Sequence, residues 1–187
     1  MDAYLVAFRI PNLVRDLFAE GAMISAFVPT FTRELALRGR AEAWRLANSV
    51  MNALLLVTAL LVIAGYVFAT PLVSLYAERF SAVPGKLELT VRLARVMLPF
   101  LPMVAIAAAV MGMLNSLRHY FLPALAPATF NVVAIVFAAA LTPLMPAFGL
   151  PRIMSMALAT LVGGVTQIAL QWPSLRRDRK STRLNSS

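Results

Sequence analysis

Long reaches of this chain carry no charge. Leu46 to Ala77, Val96 to Leu117, His119 to Pro151 and Ile153 to Leu175 contain no Asp, Glu, Lys or Arg. A helix crosses the hydrocarbon of a bilayer with ~20 apolar residues, so each stretch is long enough to span. The third and fourth meet at Thr142–Pro151, where Pro143, Pro146, Gly149 and Pro151 predict a turn, because proline lacks the amide N–H and breaks helices. The pattern predicts helices near 46–70, 94–117, 122–142 and 153–172.

The first 32 residues differ. They are mostly apolar but hold Asp2, Arg9, Arg15, Asp16 and Glu20, and Pro11 and Pro29 interrupt them. In a soluble protein this would be an amphipathic helix. In a membrane it is either an interfacial helix with one charged face or a fifth span, near 2–32, whose charges face a water-filled cavity. At about 100° per residue Asp2, Arg9 and Glu20 share a narrow sector, Asp16 is about 40° away and Arg15 is nearly opposite. That scatter suits a span packed among other helices better than a flat interfacial helix, although a kink at Pro11 blurs the angles. Both membrane readings stay open on pattern alone.

Composition turns these patterns into a class. Of the 187 residues, 60% are hydrophobic and 13% charged, with a mean hydropathy of +0.79. An ordinary soluble domain is about 45–50% apolar and about 25% charged, so a soluble enzyme and a nucleic-acid-binding module are excluded. The expected fold is all-α: a polytopic helical membrane protein with about five transmembrane helices. The net charge of +9 sits between apolar runs rather than in a polyanion-binding patch, so no nucleic-acid partner is expected. The absence of cysteine excludes disulfides, thiolate metal sites and a cysteine nucleophile, and His119, the single histidine, argues against a histidine-built metal site. Glycine-rich phosphate loops, Walker motifs and Ser/His/Asp sets are lacking. No catalytic residue, metal or cofactor is expected.

Basic residues set the orientation. Arg33, Arg38, Arg40 and Arg45 cluster after the first segment, Arg118 and His119 lie between the third and fourth spans, and Arg176 and Arg177 follow the fifth. With five spans these places share one side, which the positive-inside rule makes cytoplasmic. Arg79, Lys86 and Arg152 lie opposite, with Glu78 and Glu88. Arg92 and Arg95, at the outer entrance of the third span, either reach lipid headgroups or meet an anionic substrate. A secretory signal peptide is not visible, since the N-terminal region is acidic at Asp2 and lacks a cleavage pattern.

The last ten residues, Asp178–Ser187, turn abruptly polar. The string resembles the translation of a sequencing-library adapter through all ten codons, and the expectation is that residues 178–187 are adapter-derived. Removing their three basic and one acidic residue lowers the net charge from +9 to +7.

Four segments resemble a known family. They are Asp2-Ala-Tyr-Leu-Val-Ala-Phe-Arg-Ile-Pro-Asn-Leu-Val-Arg15, then Phe18-Ala-Glu-Gly-Ala22 with Ala26-Phe-Val-Pro29. Next comes Leu114-Asn-Ser-Leu-Arg-His-Tyr-Phe-Leu-Pro-Ala-Leu-Ala-Pro127 with Asn131, and last Val162-Gly-Gly-Val-Thr-Gln167 with Gln171-Trp-Pro-Ser-Leu-Arg-Arg177. In order and spacing they resemble the MurJ (MviN) lipid II flippases, whose superfamily includes multidrug and polysaccharide exporters. The resemblance implies a piece of a fourteen-helix, two-lobed transporter, matching helices two to six of the N-terminal lobe over residues 1–177. Such a piece is not expected to transport alone. It further implies lipid II as partner, alongside membrane lipids, alternating access as mechanism and the bacterial inner membrane as location, with Asp2 near the periplasmic face.

The resemblance also assigns residues. Arg15 matches a required cavity arginine, and Arg9 falls where basic residues are common, so both are expected to bind substrate. Asp2 matches an aspartate near the outer gate, Glu20 an acidic position, and Asn12 is a further cavity polar candidate. Asp16 departs from a frequent second basic residue, which weakens a double-arginine clamp. Arginine suits pyrophosphate because its guanidinium stays charged and donates bidentate hydrogen bonds.

Other polar and small residues read as structural. Asn12, Asn48, Asn115 and Asn131 serve interhelical hydrogen bonding or, for some, substrate contact. Gly163-Gly164 permits close helix packing or a bend. Pro99, Pro102, Pro123 and Pro127 give static kinks or gating flexibility. Against the flippase stand an exporter of drugs or polysaccharides and a membrane-embedded enzyme acting on polyprenyl phosphates. The enzyme needs convergent acids or a metal motif, which are not apparent here.

Overall fold

A computed structural model describes residues 2–16, 25–76 and 83–184. Those residues are mostly helical, with no strand among them: α1 (Asp2–Asp16), α2 (Val28–Leu37), α3 (Gly39–Val67), α4 (Ala69–Tyr76), α5 (Lys86–Met97), α6 (Phe100–Ser116), α7 (Phe121–Leu141) and α8 (Met154–Leu184). Four stretches are long and apolar enough to cross a membrane: Gly39–Val67, Lys86–Ser116, Phe121–Leu141 and Met154–Arg179. The fifth span expected over 2–32 is described as α1 and the start of α2, with residues 17–24 outside the described residues.

Helix ends differ from the hydropathy pattern. The arginine-rich segment expected to be a loop is helical: Arg33 lies in α2, and Arg40 and Arg45 lie in the first two turns of α3. Arg, Ala, Glu and Leu are all good helix formers, and charge at the rim of a bilayer ends the apolar run without ending the helix. The chain turns instead at Gly39, whose φ of +81° is a conformation that glycine adopts without penalty. Arg38 and Arg45 pair along their own helices with Glu34 at 3.5 Å and Glu42 at 2.8 Å.

α5 and α6 form one central rod, broken at Leu98-Pro99 because Pro99 has no N–H to continue the ladder. Its α5 half packs Val91, Leu93, Ala94 and Met97 into a cluster with Ala3 and Ala7 of α1, Ala69 and Val73 of α4, and Met154 and Ala157 of α8. Its α6 half places Ala105, Ala108, Ala109, Val110 and Met113 against Phe27, Phe31, Trp44, Ala47 and Leu54. The run of alanines lets α2 and α3 approach closely, which is how helices associate where surrounding lipid is as apolar as leucine. α7 and α8 form an antiparallel hairpin through a 3-10 turn at Met145–Phe148 and Gly149. The hydroxyls of Thr142 and Ser155 meet at 2.7 Å across its mouth. Val132, Ile135 and Val136 of α7 stay exposed, a face suited to lipid or to further helices.

The end of α6 supplies a local test. Arg118 has φ +65°. The Arg118 amide donates to the Asn115 carbonyl at 3.0 Å and that of His119 to Leu114 at 2.9 Å, closing the helix as a Schellman motif. A side chain in this left-handed position costs ~1 kcal/mol or more, and a β-branched one costs more still. Arg118→Gly is therefore expected to be at least as stable as wild type, and Arg118→Val less stable than Arg118→Gly by at least ~1 kcal/mol. Equilibrium unfolding in mixed micelles measures the difference.

Candidate functional site: the charged helix α1

α1 is held by one face. Ala3 and Ala7, one turn apart, are buried against the α5 cluster, and their small side chains bring the two backbones close. Tyr4 and Phe8, also one turn apart, stack with ring centroids 5.8 Å apart. Phe8 then meets Phe100 of α6 at 6.2 Å, and Phe100 meets Phe130 of α7 at 5.5 Å, so a line of rings ties three helices together. The Tyr4 hydroxyl lies 3.0 Å from Thr160 Oγ1 of α8. Thr160 already donates to the Met156 carbonyl, which leaves Tyr4 as the donor between the helices.

The opposite face is open. Asp2, Leu5, Arg9 and Leu13 are all exposed and follow one another at helical spacing. Among the described residues nothing covers them, apart from Lys86 of α5, whose Nζ donates to Asp2 Oδ2 at 3.1 Å. Asp2 thus stands at the end of α1 in an ion pair with the start of α5. Among the described residues Arg9 has no ion-pair partner on the open face, where Leu5 and Leu13 flank it. Asn12 is half-buried, and its Oδ1 is buried without a hydrogen-bond partner among the described residues. The side chain of Arg15 and the whole of Glu20 lie outside the described residues, although the α1 backbone runs through Arg15.

The structure therefore brings together Asp2 and Arg9 on one face, as the helical angles foretell, and adds Lys86 to them. Sequence reading placed Lys86 only in an outer loop, since no spacing rule links residues 84 positions apart. The Tyr4–Thr160 bond was equally hidden. Chemically, this face offers permanent positive charge on a membrane helix, with a carboxylate at one end already neutralised by Lys86. Such a face can carry a hydrated anionic group. Among the described residues no three carboxylate or histidine side chains cluster as metal ligands.

Basic segments gather at the other end of the bundle. Thr32 of α2 donates to Ser116 of α6 at 3.0 Å, and Trp44, Asn48, Trp172 and Arg176 line one small pocket. The Arg33–Arg45, Arg118–His119 and Arg176–Arg177 segments are neighbours in space. Asp2, Lys86 and Met145 mark the opposite end.

These features define a polytopic helical membrane protein with a charged helix laid along a packed bundle. The family model described as lipid II flippase MurJ matches residues 1–186. A probable lipid II flippase MurJ of Rhizobium tropici is 40% identical over 184 residues, covering 94% of this chain and 33% of the relative. That of Rhizobium meliloti is 39% identical over 177 residues, and the lipid II flippase MurJ of Burkholderia cenocepacia 34% over 176. A solved lipid II flippase MurJ in an inward closed conformation superposes with a TM-score of 0.70 at 28% identity, covering 94% of this chain and 34% of that one. The chain belongs to the MurJ lipid II flippase family, a family of transporters rather than enzymes. It spans about a third of the length of the curated relatives it matches.

Proposed function

We propose that this chain forms part of a lipid II flippase of the bacterial inner membrane, which carries the lipid-linked peptidoglycan precursor from the cytoplasmic to the periplasmic leaflet by alternating access. The observation that carries this reading is the uncovered face of α1 (Asp2, Leu5, Arg9, Leu13) on a helix whose other face is locked into the bundle. Lipid II combines a polyprenyl tail, which stays in lipid, with a pyrophosphate and a sugar–peptide head that resist desolvation. Burying an unpaired charge in an apolar medium is very costly, so the head needs a polar, cationic path. Arg9 faces that path, and Arg15 is the second arginine assigned to it. Asp2 and Asn12 are assigned to its polar wall, with the Asp2–Lys86 pair at its outer mouth, and the resemblance assigns Glu20 to the same wall.

The experiment is replacement. The complete reading frame, expressed in cells depleted of their own flippase, is expected to restore growth and the appearance of lipid II on the periplasmic leaflet. Rescue of drug or polysaccharide export without lipid II translocation would favour an exporter of the same superfamily.

Sidedness gives a second test. The arginine-rich end is assigned to the cytoplasm because short cytoplasmic loops carry the excess of Lys and Arg. The chain has no cysteine, so an introduced thiol reports alone. Cysteine at exposed Ala41→Cys is expected to react with an impermeant thiol reagent only after the membrane is opened. Labelling from outside intact cells would reverse the orientation.

A further inference from the structure

A pocket of about 470 Å³ lies between α3 and α5, lined by Tyr66, Glu88, Val91, Arg92, Arg95 and Val96 and by no residue of α1. The Arg95 guanidinium stacks on the Tyr66 ring, 4.8 Å from its centroid. Its Nε is buried and has no acceptor among the described residues. A buried donor left unpaired is costly, and among the described residues the pocket offers this one no acceptor. Arg92, one turn earlier on α5, is exposed on the same pocket.

Depth identifies the acceptor. Arg95 precedes Ser116 by 21 residues on the α5–α6 rod, about 31 Å at 1.5 Å per residue. Trp44 and Tyr66 are 22 residues apart on α3, about 33 Å. Both separations match a hydrocarbon layer about 30 Å thick. Exposed Tyr66 then stands at one interface, where aromatic residues concentrate. Arg92, Arg95 and Tyr66 stand at headgroup depth in the leaflet opposite the arginine-rich end. The α3 surface beside them, Ile63, Tyr66 and Val67, is exposed and largely apolar, a bed for acyl chains.

Charge narrows the class. Two arginines in a pocket select a phosphate oxygen, which they can grip in bidentate fashion. Glu88 on the same lining would repel a simple anion but pairs with an ammonium. We propose that this pocket binds the headgroup of an aminophospholipid, with its phosphodiester on Arg92 and Arg95 and its primary ammonium on Glu88. The site is a lateral lipid anchor for the α3–α5 side of the bundle, and it does not rest on the lipid II reading.

Native mass spectrometry of the full chain, released from a neutral maltoside detergent, tests this with dioleoyl phosphatidylethanolamine and dioleoyl phosphatidylglycerol as probes. One phosphatidylethanolamine is expected to be retained per chain at least tenfold more tightly than phosphatidylglycerol. The double variant Arg92→Gln/Arg95→Gln should lose that retention at least tenfold. Glu88→Gln should keep phosphate binding but lose the preference between the two lipids. Equal retention of both lipids by the wild type, or unchanged retention by the double variant, overturns the proposal. Displacement of the lipid by equimolar soluble glycerophosphoethanolamine would assign the site to a free phosphate ester and overturn the lipid. If the double variant loses its helical circular dichroism, the selectivity of Glu88→Gln decides.

Discussion

Arg15→Ala in the complete protein is expected to abolish lipid II translocation while the protein still accumulates in the membrane. Cells depleted of their own flippase should then fail to grow on the variant. Three considerations converge on this residue. It is permanently charged, it lies on a helix laid along a membrane bundle, and the substrate proposed above is a membrane-bound pyrophosphate. Arg15→Lys keeps the charge but loses the planar fork, so partial activity is expected. An ion pair with Asp16 or Glu20 would give a different signature, because breaking it removes the protein from the membrane rather than its activity. Immunoblotting of membranes alongside the growth assay separates the two. Growth supported by Arg15→Ala at normal protein levels would end the substrate role.

The second large effect is structural. A Cβ added to Gly163 would sit 2.8 Å from Phe130 Cδ2 and 3.1 Å from the Phe130 carbonyl oxygen, so both a ring and the α7 backbone would have to move. Phe130 is the last ring in the line from Tyr4 through Phe8 and Phe100, and displacement there is passed towards α1. Overpacking costs ~1–3 kcal/mol where neighbours can adjust. Gly163→Ala is expected at the upper end of that range, and Gly163→Leu to prevent assembly of the α7–α8 hairpin. Gly164→Ala should be milder, because the nearest atoms are the Phe100 ring at 3.1 Å and the Met103 sulfur at 3.3 Å, the latter on a flexible chain. Unfolding of the three variants in mixed micelles gives the order.

Much of the architecture was legible because its cause is local. Uncharged runs long enough to span a bilayer coincide with the cores of α3, α6, α7 and α8, and the prolines around Gly149 mark the hairpin turn. The angular grouping of Asp2 and Arg9 anticipates the open face of α1, since one buried face of small and aromatic residues leaves the other uncovered. The extension of α3 back to Gly39 and the helix α5 ahead of Pro99 were not legible from hydropathy, because charge ends an apolar run but not a helix. Long-range pairs were hidden altogether. Asp2 with Lys86, Tyr4 with Thr160 and Arg95 with Tyr66 depend on how helices distant in sequence are docked, and no periodicity encodes that. The roles of Arg15 and Glu20 rest on the family resemblance.

The central claim is that the open face of α1 lines the path of a polyanionic lipid head, and charge reversal on that face tests it directly. In the complete protein Arg9→Glu should leave membrane abundance unchanged, because Arg9 is exposed and, among the described residues, lies outside the buried cluster that holds α1. Lipid II exposed on the periplasmic leaflet, measured by an externally added enzyme that cleaves it, should fall at least tenfold relative to wild type. Cleavage at the wild-type rate, with the variant present at wild-type abundance, would contradict the account.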